Sequence, residues 1–104
     1  MEWRKIAESR DELHFNSNGL LEIEIDGKHL CISQHQSNLS ACAAKCPHAG
    51  AKMASGYVDA IGNIVCPLHR YKFSVKNGRN VSGEGYFLKI FAMEERENGV
   101  FVRF

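Results

Sequence analysis

Cys46-Pro47-His48 and Cys66-Pro67-Leu68-His69 decide the reading of this chain, with seventeen residues separating His48 from Cys66. Each stretch offers one thiolate and one imidazole on a short loop. The proline after each Cys fixes φ and removes a backbone donor, which stiffens the loop, and Gly50 closes the first one. Soft sulfur and imidazole nitrogen in two matched segments read as the donor set of a metal centre. A closed tetrahedral zinc site of two Cys and two His is one such centre. Zinc modules usually pair like with like, as in C-x2-C and H-x3-H, and ligands as close as Cys46 and His48 fit that pattern poorly. An unmetallated relic of such a site is the remaining reading.

Outward from these loops, period-two patterning dominates. Leu21, Ile23 and Ile25 alternate with Glu22, Glu24 and Asp26, which predicts a half-buried strand. Asp26-Gly27 tolerates the positive φ of a two-residue hairpin turn. The following run, Lys28 to Gln34, places Leu30 and Ile32 on one face and Cys31 on the other. Phe87 to Met93 and Val100 to Phe104 flank Glu97-Asn98-Gly99, a second hairpin signal. Asn18-Gly19, Gly62-Asn63 and Asn77-Gly78 mark further turns. Ser9-Arg10-Asp11-Glu12 has the form of a capping box and predicts one helical turn near residues 10–14. No long amphipathic helix is present, so the fold class is all-β with short strands.

Composition narrows the function. A chain of 104 residues is one small domain, 1–104, with a core of adequate size. Its net charge of +1 with both signs dispersed argues against the basic stripe of a nucleic-acid binder. Arg4-Lys5, Arg70-Tyr71-Lys72 and Lys76 to Arg79 read as solvated faces. No run reaches the length of a membrane span, and Met1 to Lys5 leads into no apolar signal region. A cytoplasmic chain without a membrane anchor is the expectation. Four Cys without an export signal favour metal over cross-links.

The remaining Cys and His have plainer readings. If residues 42–46 are extended, Cys42 and Cys46 lie about 13 Å apart, beyond disulfide reach. Cys42, sharing a face with Ala44, and Cys31 both read as small packing residues. His14, His29 and His35 fall outside any ligand spacing. Tyr86, Phe87 and Phe91 read as core.

The C-x-H…C-x2-H arrangement, with Pro after each Cys and Gly50 closing the first loop, resembles the Rieske family, low-potential soluble type. The resemblance implies an antiparallel β-sandwich or barrel base carrying a small cluster-binding subdomain, here residues 46–73. It implies a [2Fe–2S] cluster in which Cys46 and Cys66 bind one iron and His48 and His69 the other. Two neutral imidazoles in place of two thiolates make reduction easier than in an all-Cys ferredoxin.

High-potential respiratory members carry an extra Cys in each loop, at places filled here by Ala51 and Leu68, so their disulfide cannot form. They also place Ser and Tyr hydroxyls on cluster sulfur, where this chain has Tyr71 and Phe73. Fewer such hydrogen bonds imply a potential low in the Rieske range, on the order of −150 mV.

Two departures stand out. Arg70 occupies a place where the family usually has Gly, so either φ is ordinary there or the loop is altered; its charge would attract an acidic partner. The shielding segment, Asn80 to Gly85, lacks the family's Pro and is expected to be more mobile and to admit solvent.

The implied function is a small ferredoxin, moving single electrons from a reductase to a terminal oxygenase or similar redox enzyme, with no catalysis of its own. In the family, the outer nitrogens of the two His also couple electron transfer to protons. The alternative is a Rieske-like small subunit of a larger reductase, such as assimilatory nitrite reductase.

Overall fold

Alternation along Leu20–Ile25 becomes the strand β2, and Asp26 and Gly27, at φ of +51° and +82°, turn the chain directly into its partner. The computed structural model describes residues 1–104. In chain order the strands are β1 (Trp3–Ala7), β2 (Leu20–Ile25), β3 (Lys28–His35), β4 (Asn38–Ala43), β5 (Tyr57–Val58), β6 (Ile64–Val65), β7 (Lys72–Phe73), β8 (Ile90–Phe91), β9 (Met93–Arg96) and β10 (Gly99–Arg103). They form three antiparallel sheets, ordered β1-β10-β9, β2-β3-β4-β8 and β5-β6-β7. The all-β expectation holds.

The central sheet is covered on both faces. Leu30, Ile32, Ala41 and Phe91 meet Val102 of the first sheet on one side. Leu20, Cys31 and Cys42 meet Met53, Ile64, Phe73 and Leu88 on the other, together with Cys46 and Cys66. This explains why Leu30 to Ser33 is a continuous buried run: a strand buried on both faces has no polar alternation to display. Each such Leu or Ile contributes about 1.5–3 kcal/mol by leaving water, offset by the entropy of ordering the chain.

Two local expectations are corrected. The run from Phe87 to Met93 is not one strand: β8 pairs with β4, whereas β9 pairs with β10. Ala92 is the corner where the chain changes sheets, its carbonyl accepting the N–H of Arg103 at 2.9 Å. The helical turn is a single 3-10 turn, Arg10–Glu12, and Ser9 does not cap it. Glu12 instead accepts the N–H of Glu8 at 2.6 Å.

The third sheet carries the two Cys/His motifs on its flank. Gly56 sits where the chain enters β5, and a Cβ there would lie 1.9 Å from the Val65 carbonyl oxygen. Only glycine lets these two backbones approach so closely, and Val65 is the residue before Cys66. No helix is long and apolar enough to cross a membrane.

Candidate metal centre

The two motif loops share one hydrogen-bond plan. In the first, the Cys46 N–H donates to the Ala51 carbonyl at 2.8 Å; in the second, the Cys66 N–H donates to the Tyr71 carbonyl at 2.9 Å. Each Cys thus reaches five residues forward, and each loop is closed at its base by a pair just outside it. Lys45 faces Lys52, and Val65 faces Lys72. The loops are equivalent hairpin tips, and equivalent donors therefore emerge side by side.

Left-handed backbone makes the tips tight. Gly50 has φ of +72°, while His69 and Arg70 have φ of +65° and +58°. Of the two readings open for Arg70, the ordinary φ is excluded: the position keeps the glycine-like conformation with a side chain added. Residues with a Cβ are disfavoured there, so the second loop holds strain at the imidazole itself.

Sulfur lies inside and nitrogen outside. Cys46 and Cys66 are buried, at 2% and 0% exposure, and the two thiols are within hydrogen-bonding reach. Burial chiefly pushes the Cys66 thiol up to about 11, with the Leu68 N–H opposing and Cys46 adding to the rise. His48 is half-buried and His69 exposed, with ring centroids 5.3 Å apart. Nδ1 of His48 is buried and has no hydrogen-bond partner. Such an atom costs free energy unless something else binds it. No three of these side chains converge on one point; the four come as a sulfur pair and a nitrogen pair.

Aromatic rings pack about the imidazoles. Tyr71 stacks on His48 at 4.2 Å and 27°, and Tyr86 lies 5.3 Å from the same ring. Tyr86 is therefore a site residue and not core, with 38% exposure, and Phe87 is also on the surface at 68%; of the three aromatics only Phe91 is buried. Sequence reasoning missed Tyr86 because its contact with His48 spans thirty-eight positions and follows no periodicity.

The segment from Asn80 to Gly85 is exposed beyond Asn80 and tied by side-chain hydrogen bonds. Asn80 Oδ1 accepts the N–H groups of Glu84 and Gly85, and its amide donates to the Lys72 carbonyl at 3.1 Å. Val81 N–H donates to the same carbonyl at 2.9 Å. One Asn side chain holds the segment in the absence of a proline.

The other candidates stay outside. Cys31 and Cys42 are buried packing residues, as expected, but they face each other across β3 and β4. Hydrogen bonding between the two thiols, then burial, pushes Cys42 well above the usual thiol range. Both remain free. His14 is exposed, His35 Nε2 lies 3.1 Å from the Ala60 carbonyl, and His29 sits between Glu22 and Glu24.

The chain belongs to the Rieske [2Fe-2S] domain family, whose sequence model matches residues 2–86. It is 28% identical over 107 residues to a cholesterol 7-desaturase of Bombyx mori, covering 96% of this chain and 23% of that protein. It is 32% identical over 60 residues to the ferredoxin component of a naphthalene 1,2-dioxygenase system of Pseudomonas putida, covering 58% and 57% of the two chains. The chain thus spans about a quarter to a little over half of these relatives.

Solved structures show the same fold. A protein described as a nitrite reductase NADPH small subunit superposes with a TM-score of 0.81 at 22% identity, each chain fully covered. A chain from the complex of reduced oxygenase and oxidised ferredoxin in carbazole 1,9a-dioxygenase gives 0.79 at 24% identity, covering 96% and 91%.

The family's cofactor is a Rieske-type [2Fe–2S] cluster. The donors present fit it: two buried thiols and two imidazoles with centroids 5.3 Å apart, one of them, His48, with a buried Nδ1 that has no partner.

Proposed function

We propose that Cys46 and Cys66 bind one iron of the cluster and His48 and His69 the other, and that the chain is a one-electron carrier. Residues 46–73 form the cluster-binding subdomain of a single domain, 1–104. The unpartnered Nδ1 of His48, held by Tyr71 beside a buried thiol pair, carries this reading. When bound, the cluster supplies a one-electron couple raised by its two neutral ligands.

The protein's own groups do the rest. Loops each closed at the base by their own backbone pair hold the donors in place, so little rearranges when charge changes. Burial of the two Cys keeps water from the sulfur side, while the exposed His69 brings the other side to the surface. Leu68 and Tyr86 add exposed apolar surface beside it, which suits brief contact with a redox partner. By analogy with the dioxygenase ferredoxin components, a reductase is the donor and a terminal oxygenase the acceptor. A cytoplasmic setting accords with four unpaired thiols.

The alternative is a small subunit of a larger reductase, favoured by the end-to-end match to the nitrite reductase small subunit. Anaerobic titration of the isolated, iron-loaded chain tests the carrier. It should take up one electron reversibly and pass it to a second redox protein in solution. A chain that is redox-active only inside a stable complex supports the subunit instead.

A further inference from the structure

A surface glutamate normally samples many rotamers, yet Glu84 is fixed. Its Oε1 accepts from Asn80 Nδ2 at 3.0 Å and from the Ser82 hydroxyl. Ser82 Oγ in turn accepts the Lys72 N–H at 2.9 Å and the Asn80 amide at 3.2 Å. These bonds tie the carboxylate to β7, one residue beyond Tyr71.

Two residues after Glu84, Tyr86 lies 5.3 Å from the His48 ring and 5.8 Å from Tyr71. Glu84 is in no ion pair with Lys or Arg. Hydrogen bonds from Ser82 and Asn80 outweigh desolvation and hold its carboxyl below the usual range, with His48 the smallest contributor.

We propose that Glu84, clamped by Asn80 and Ser82 beside the His48–Tyr71–Tyr86 ring stack, is a positioning residue that sets the potential of the metal centre with a fixed negative charge. A negative charge near a site that gains an electron disfavours the gain. Because Glu84 is exposed, mobile ions screen it. The potential therefore depends on salt, which a purely structural role would not produce. The proposal rests on the ligand assignment above.

The test is a mediated redox titration of iron-loaded wild type, E84Q and N80A at low and high salt. Gln retains the acceptor oxygen, so E84Q removes the charge and keeps the fold. The E84Q midpoint should move up at low salt, and the difference from wild type should shrink as salt is added. N80A, which frees the carboxylate, should move in the same direction. A loaded E84Q with the wild-type midpoint and salt response overturns the proposal, and an unmoved N80A overturns the clamp. Wild type that binds no cluster overturns the ligand assignment instead, so the two failures are distinct.

Discussion

Tyr71 lies flat against His48, ring centroids 4.2 Å apart and planes inclined by 27°. The two residues belong to different loops, so this stack joins the hairpin tips on the nitrogen side as the buried Cys pair joins them on the sulfur side. Ring pairs of this kind contribute about 0.5–1.5 kcal/mol beyond burial. Tyr71→Ala should therefore shorten cluster lifetime under a chelator by roughly two- to tenfold. Tyr71→Phe should not. Decay of the visible absorption reads both.

Phe73 is fully buried in the same core cluster as Cys46 and Cys66. A hydroxyl placed there has to find a partner or cost about 1–3 kcal/mol, and sulfur at a centre held by Cys46 and Cys66 would be one acceptor. Phe73→Tyr should raise the midpoint, since a hydrogen bond to sulfur stabilises the added electron. An unchanged midpoint, with the hydroxyl seen on sulfur, contradicts this expectation.

Gly56 tests how tightly the second loop is supported. Its added Cβ would meet the Val65 oxygen at 1.9 Å and Pro67 Cδ at 3.2 Å. Gly56→Ala should lower stability by about 1–3 kcal/mol, the usual cost of overpacking, and reduce iron occupancy, because the displaced strand leads into Cys66. Urea midpoints and iron content measure both effects.

Asp59 organises the β5–β6 turn. Burial would raise its carboxyl, but the N–H groups of Asn63 at 2.9 Å and Ile61 at 3.0 Å, with Lys72, hold it below the ordinary value. A carboxyl lowered on folding stabilises fully above its unfolded value of about 3.9 and loses that contribution as pH falls through the folded value. Wild type should therefore exceed Asp59→Asn in stability at pH 6, with the gap closing below about pH 4. A gap that persists at acid pH rules this out.

The sequence made the site more legible than its surroundings. Cys46, His48, Cys66 and His69 stand in a spacing that few other chemistries use. The β2–β3 hairpin was readable because Asp26-Gly27 has few alternatives. By contrast, Ala92 carries no mark of a sheet-switching corner, since a corner is defined by which partners two strands find. The anchoring role of Asn80 was hidden for a similar reason: its contacts run to Lys72, Ser82, Glu84 and Gly85, and a polar glycine-rich segment reads the same whether tied or loose. Cys31 and Cys42 were readable as buried but not as opposed, because their meeting depends on the β3–β4 register.

The most direct test of mixed coordination is pulsed electron paramagnetic resonance on dithionite-reduced protein carrying 15N-labelled histidine. The account predicts strong coupling from two histidine nitrogens, reduced to one or lost with the signal when His48 or His69 is replaced. A reduced cluster with no histidine coupling, or anaerobically prepared protein without iron, would contradict it.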